Sequence, residues 1–466
     1  MLSNHDARTD RRGDSGLALI ATLWIMAVLS VLATEYLYMV HLDTRMAENV
    51  VDRTQLEYAA KAGIARFTRV LADDDVAFDS ANEGWAETIE GELEDPTVLT
   101  KTYAYELTAT DESALVDVNV ADTDLVTGLL GLTAALEEER ATIAQAIVDA
   151  RPFRSPGDVA RAEGMTADIL YGGEQVEGDE QATPLINLIT VYAVDKNVQS
   201  GGEDRTNIND ADADALVQGL TGQDGQELLS QGEAEAITAQ RDEEEYDSLG
   251  DLMDIPAISQ SVLDDVRDRL STEDNDDNDD DRTNINSASA EELGEVDGLD
   301  EGTGEAIVRH RDDNGDYGSV DDIRDAMLFN RNDMKWVVDK ATVVSEDTVR
   351  GLVNINTANQ DILALLPGMD AGKAQAIIDR RESAPQDAPP SDEPQDSPFK
   401  NVGELLDVEQ IDDDTYKQLV NSITYRAQVF RVRANGLTPE GQPVARIAAV
   451  LDRSGGGIET RYWLTN

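Results

Sequence analysis

The chain has 466 residues, no cysteine, three histidines, and 37 Lys and Arg against 96 Asp and Glu, a formal charge of −59. That length accommodates two or three domains with sizeable cores, while the missing cysteine excludes disulfides, thiolate metal sites and a cysteine nucleophile. So acidic a surface repels nucleic-acid phosphates and anionic headgroups alike, and suits a halophilic protein in concentrated salt. Only eight of the basic residues are Lys, and His5, His41 and His310 are too few and too scattered for histidine catalysis, so no enzyme is expected.

Residues 1–16 are polar, with Arg8, Arg11 and Arg12 towards their end. After Gly16 the sequence runs from Leu17 to Thr34 without a charge, the lower end of the roughly 17–25 residues that span a bilayer as a helix. Tyr36 and Tyr38 follow where interfacial aromatics anchor a span, and the arginines lie on the cytoplasmic side. Val31-Leu32-Ala33 could pass as a signal-peptidase site, but the apolar stretch exceeds the roughly 7–15 residues of a secretory signal. No helix breaker follows it. Val40, Leu42, Met46, Val50, Leu56, Ala59, Ala62, Phe67 and Val70 recur every three or four residues. The pattern predicts one helix of about 55 residues, with 17–40 in a membrane and 41–72 outside it.

Residues 101–118 alternate polar and apolar and predict one half-buried strand. Gln428–Ala434, Ala445–Leu451 and Ile458–Leu464 read as three more, with turns at Asn435-Gly436 through Pro443 and at Ser454–Gly457. The expected fold is α+β: a long N-terminal helix packed on a small antiparallel sheet. Its two parts, 73–116 and 427–466, flank an inserted α-helical domain over 117–426.

The insertion repeats. Asn207-Ile-Asn209, Asn284-Ile-Asn286 and Asn354-Ile-Asn356 each open a unit, and Asp117-Val-Asn119 is a degenerate fourth. A Gly-Leu or Gly-Met turn follows at Gly131, Gly219, Gly298 and Gly368. A helix then runs to a terminal Arg (Arg151, Arg241, Arg311, Arg381), and an aromatic closes each unit (Phe153, Tyr246, Tyr317, Phe399). This is a tandem helix-hairpin-helix pattern. The Asn-x-Asn openings read as N-caps and turn formers, and the arginines as caps complementing the helix dipole. Glu273–Asp281 and Ser383–Pro398 read as loops.

A short basic leader ending in Gly, an apolar helix and the run Glu57-Tyr-Ala-Ala-Lys-Ala-Gly-Ile-Ala-Arg66 resemble the type IV pilin and pseudopilin class. The resemblance implies cleavage by prepilin peptidase between Gly16 and Leu17 and methylation of the new amine. The class usually carries Glu at the fifth mature position, and here that residue is Ala21. With the large insertion, that departure resembles the general secretion pathway protein K family, the minor pseudopilins of type II secretion. The resemblance implies a tip position in the pseudopilus, nucleation of its assembly and support for export of folded proteins. It implies a single-pass inner-membrane protein with its bulk in the periplasm. Its partners would be other minor pseudopilins, the major pseudopilin, and the outer-membrane channel or cargo. A type IV pilus minor pilin shares every one of these features.

A DNA-uptake receptor is the rival from a different class, since helix-hairpin-helix turns can grip phosphate. The hairpins here place Asp300 and Asp370 where phosphate would approach, and no basic stripe accompanies them, so no nucleic-acid partner is expected. No cofactor is required, but the family's α-domain can hold calcium. Asp312, Asn314 and Asp316 put three oxygen ligands on alternate residues and are the candidate calcium site. They depart from the EF-hand loop at Tyr317 and Ile323. The acidic run Asp274–Asp281 is a weaker candidate.

Overall fold

A computed structural model describes residues 12–74, 76–94, 102–173, 182–222, 225–226, 228–257, 270–271, 283–296, 299, 301–317, 319–329, 331–383, 397–438 and 441–465. The apolar stretch and its amphipathic continuation form one helix, α1 (Arg12–Asp73). Its last third seats on an antiparallel sheet. Strands β1 (Ile89–Glu94), β2 (Thr102–Asp111), β13 (Val429–Leu437), β14 (Pro443–Asp452) and β15 (Glu459–Thr465) form that sheet, in the order β1-β2-β13-β14-β15. Leu56, Ala59, Ala60, Ile64, Phe67 and Leu71 of α1 bury against Leu107, Phe430, Val432, Ile447 and Leu451. Phe67 and Trp85 both meet the Phe430 ring edge-on, at 6.1 and 5.0 Å.

The strand expected over 101–118 stops at Asp111. The Asp111 carboxylate accepts the Ser113 amide at 2.7 Å and turns the chain into a 3-10 segment, Glu112–Ala114. Nor do Asn435 and Gly436 form a turn. β13 continues through both, because a Cβ on Gly436 would lie 2.1 Å from the Leu56 carbonyl oxygen, and only glycine lets α1 approach there. The reversal comes later, at Gly441, with φ 79°.

The insertion is built from four units that share a short opening strand, a helical hairpin, a 3-10 turn and a closing strand, with a closing helix described in three of them. The first holds β3 (Val116–Asp117), α2 (Thr123–Gly131), α3 (Glu137–Asp149), α4 (Ala167–Tyr171) and β4 (Ile189–Thr190), with β3 and β4 paired in parallel. A ribbon strand, β5 (Val194–Lys196), leads to β6 (Thr206–Asn207), α5 (Ala213–Gly219) and α6 (Gln231–Glu243) of the second. Then come β7 (Leu270–Ser271), β8 (Thr283–Asn284), α7 (Ala290–Gly294), α8 (Glu301–Asn314), α9 (Arg331–Lys340) and β9 (Ala341–Thr342). After β10 (Thr348–Arg350), which pairs with β5, the fourth unit holds β11 (Val353–Asn354), α10 (Gln360–Leu363), α11 (Ala371–Glu382), α12 (Asp413–Leu419) and β12 (Ile423–Thr424).

Units two and three follow one another in sequence but exchange their closing segments. β6 pairs in parallel with β9, at the far end of the third unit, and β7 pairs with β8, which opens it. The chain crosses at an antiparallel contact, where Pro256 bridges Met327, Ala257 N donates to Ala326 O and Leu328 N to Ile255 O, both at 2.8 Å. Packing obeys the exchange. Met334, Val337 and Val338 of α9 join the main core with Leu216 and Ile237. Ile285, Leu293, Ile307, Tyr317 and Ile323 form a small core of their own.

The completed second unit faces the fourth through matching contacts. Lys335 pairs with Asp407 and Lys417 with Asp254, each lysine six residues before its closing strand. A Cβ on Gly250 would lie 2.8 Å from Lys417 Cα, and one on Gly403 2.5 Å from Lys335 Cα. Two equivalent 3-10 turns thus press glycine onto two equivalent helices, so an approximate two-fold relates the pair.

Candidate functional site

The first candidate surface is the free part of α1. Leu23, Trp24, Ile25, Leu29 and Leu32 are exposed, as are Tyr36, Tyr38 and the stretch to Val51. Among the described residues this is the one helix long and apolar enough to cross a membrane. The Thr34 hydroxyl is satisfied within the helix, as lipid demands, donating to Ser30 O at 2.8 Å. Gly16 and Leu17 lie on the helical backbone of α1, whose residues 12–18 have no described side chains. Ala21 is exposed within the same apolar run.

The second feature is a clamp that recurs in all four units. The first residue of each opening makes a turn by accepting the amide two residues on. The distances are 2.9 Å for Asp117, 3.0 Å for Asn207, 2.8 Å for Asn284 and 2.9 Å for Asn354. The second Asn grips the backbone of the closing aromatic in both directions. Asn356 Nδ2 donates to Phe399 O and its Oδ1 accepts Phe399 N, both at 2.8 Å, and Asn119, Asn209 and Asn286 do the same to Phe153, Tyr246 and Tyr317. The N-caps lie three residues beyond the second Asn, at Asp122, Asp212, Ser289 and Asn359.

The recurring arginines do not cap their own helices. Arg381 Nη1 donates to Ile355 O at 2.7 Å and Ala358 O at 2.8 Å, carbonyls of the opening turn. Arg311 reaches Ile285 O and Ala288 O, Arg241 reaches Ile208 O and Ala211 O, and Arg151 reaches Ala121 O. Asn, aromatic and Arg therefore tie the start of each unit to the end of its hairpin. Sequence alone shows the recurrence but not the target, because the ends of the clamp lie 23 to 43 residues apart on the chain.

Asp117 replaces the Asn of the other units. The residue is 1% exposed, and Oδ2 has no hydrogen-bond partner among the described residues. Burial pushes its carboxyl up to about 6, against the Asn119 amide and the pull of Arg350 and Arg151. The folded state therefore holds the proton more tightly than the unfolded chain. This stabilisation is fully present below about pH 4 and is lost as pH rises through 6. Asp117→Asn is expected to be near neutral at pH 4 and to stabilise by about 1–3 kcal/mol at pH 8. Urea unfolding of the detergent-solubilised protein at the two pH values reads the difference, and an equal effect at both would contradict it.

The hairpins differ among themselves. Gly368 has a positive φ of 72°, whereas Gly131 and Gly219 end their helices without one, and Gly298 lies outside the described residues. Asp370 caps α11, accepting the Gly372 and Lys373 amides at 2.7 and 2.9 Å. Those two bonds, Lys373 first, hold its carboxyl below the usual range. Asp300 lies outside the described residues.

Of the candidate calcium ligands, Asp312 and Asn314 lie on the last turn of α8, about 200° apart around the helix. Asp312 faces Arg311 Nε at 3.6 Å, and Asn314 Nδ2 donates to His310 O at 3.1 Å. Asp316 is exposed beyond the helix end. Among the described residues no group of three or more His, Cys, Asp or Glu is placed to hold a metal. The run Asp274–Asp281 lies outside the described residues.

A long helix, apolar at its start and seated at its end on an antiparallel sheet, makes this a pilin-like α+β fold that carries helix-hairpin-helix units. The helix-hairpin-helix motif family matches residues 279–331, the span of the small third core. Among solved structures, the chain is similar to one in the GspK-GspI-GspJ complex from the type 2 secretion system of enterotoxigenic Escherichia coli. The TM-score is 0.35 and the identity 11%, over 91% of this chain and 99% of that one. No curated protein matches the sequence.

Proposed function

We propose that the protein is a minor pseudopilin at the tip of a type II secretion pseudopilus, with a structural role and not a catalytic one. The observation that carries the reading is the division of α1. Its end is sealed onto the sheet, while the run from Leu19 to Val51 is exposed and covered by nothing else among the described residues. A stripe of this kind requires lipid first and neighbouring helices after extraction. Ala21 supports a terminal place, since it offers no carboxylate to a neighbour's amine. The insertion supports it too, because some 300 residues beside the sheet obstruct stacking along a thin shaft. The partners would be other minor pseudopilins and the major pseudopilin along α1, with the secretion channel or cargo meeting the insertion. The role requires no cofactor. Nucleic acid is not a partner on this reading, as the Asp370 carboxylate already occupies amides that a phosphate would need.

Prepilin peptidase would process the chain between Gly16 and Leu17. Mass spectrometry of the mature protein from membranes is expected to find a methylated Leu17 at the N-terminus. A chain beginning at Thr34 would indicate an ordinary signal peptide and end the pseudopilin reading.

A further inference from the structure

The sheet layer and the insertion have separate hydrophobic cores, and of the described sheet-layer residues only half-buried Phe78 and the connecting Leu115 and Val116 pack with the insertion's core. At one edge the seam between them opens into a cleft of about 520 Å³, between Phe78 and Glu83 on one side and Arg380, Lys400 and Glu404 on the other. Domains joined in this manner ordinarily move against each other.

Beyond Phe78, buried hydrogen bonds cross the seam. Glu112, fully buried where the chain enters the insertion, accepts Arg431 Nε at 2.7 Å and Arg431 Nη2 at 3.0 Å from β13. It also accepts the Thr190 hydroxyl from β4 of the first unit. Asp111, at the end of β2, accepts Asn354 Nδ2 at 2.9 Å and Thr357 Oγ1 at 2.7 Å from the fourth unit. Where the chain leaves the insertion, Arg453 ties the sheet layer to itself: its Nη1 donates to Asp74 Oδ2 at 2.7 Å, and its Nε and Nη2 donate to Ala427 O at 3.1 and 2.9 Å. Its Nη2 also donates to Asp79 Oδ1 at 2.5 Å, while Asp79 Oδ2 accepts the Ala427 amide and Asp79 N donates to Tyr425 O.

We infer that the two buried knots centred on Glu112 and Asp111, which take Thr190, Asn354 and Thr357 from across the seam, are a latch that fixes the orientation of the insertion on the sheet layer. Displacement of α1 then carries the insertion with it as one body. Hydrogen-bonded charges suit this task. Rotation of the insertion takes the Thr190 hydroxyl from Glu112 and the Asn354 and Thr357 donors from Asp111, leaving buried acceptors unsatisfied. Apolar surfaces tolerate sliding. The latch is a property of the chain and does not rest on the proposed tip position.

The absence of cysteine allows a clean test. Spin labels at Leu136→Cys on the first unit and Val444→Cys on the sheet, both exposed positions, report the distance between the two bodies in the full detergent-solubilised chain. Pulsed electron resonance is expected to give a narrow distance distribution. Arg431→Met should roughly double its width while far-ultraviolet dichroism stays unchanged. Lys335→Met, which breaks an ion pair inside the insertion, should leave the width alone. If Arg431→Met fails to fold, Thr357→Val removes a single donor from Asp111 and carries the same expectation. A broad distribution in the parent chain, or an unchanged width in the folded latch variant, would overturn the inference.

Discussion

Asn356→Ala is expected to cost about 3–4 kcal/mol. Asn356 is 2% exposed, and its side chain makes bonds to Phe399 N, Phe399 O and Tyr425 O. Alanine leaves Phe399 N and Phe399 O without the partner that holds them, and Tyr425 O with the Asp79 amide alone. It also frees Phe399, which is fully buried and packed into the main core with Leu405, Ile377 and Tyr416. Loss of the clamp should therefore unfold the fourth unit together with its neighbours. Asn286→Ala removes the equivalent grip on Tyr317, but that aromatic belongs to the small third core. Hydrogen exchange should show opening confined to residues 283–326 for Asn286→Ala and spread through the main core for Asn356→Ala. Identical exchange maps would contradict the division of the insertion into two cores.

Gly436→Ala is expected to destabilise by about 2–3 kcal/mol, the range for forcing atoms into a packed interior. The new methyl would meet the Leu56 carbonyl at 2.1 Å, a contact that only displacement of α1 relieves. A thermal melt of the purified protein reads the loss. Gly455→Ala is the control, since nothing lies within 4 Å of a Cβ there, and it should melt with the parent. Equal melting of all three would mean that α1 is not seated as described.

These two sites show what the sequence disclosed and what it concealed. The long helix was legible because its apolar residues keep a helical period well past the charge-free run, and the C-terminal strands because they alternate. Gly436 was misread for a physical reason. Asn-Gly is a strong turn signal, and nothing local distinguishes a glycine needed for φ from one needed so that another element can approach. β1 was missed because Ile89-Glu-Gly-Glu-Leu-Glu is short, acidic and interrupted by Gly91. That glycine makes room for the Tyr105 ring, whose hydroxyl would lie 2.4 Å from a Cβ there.

The repeats were legible as repeats, but not as the exchanged pair that they form. Their pairing strands are two residues long and share one pattern, so β6 has no sequence-level reason to prefer β9 to β7. The clamps explain the periodic Asn, aromatic and Arg residues as parts of the fold. That account leaves the exposed length of α1 as the surface most in need of a partner.

Position along an assembled fibre distinguishes a tip subunit from a repeating one. Without a carboxylate at position 21, a copy inside the helical stack would leave a neighbour's buried amine unpaired, a cost of several kcal/mol by order of magnitude. A copy at the end leaves none. Immunogold labelling of isolated pseudopili, with antibody raised against the insertion, is expected to place one cluster at a single end of each fibre. Label spaced evenly along the shaft would show a repeating subunit and contradict the tip assignment.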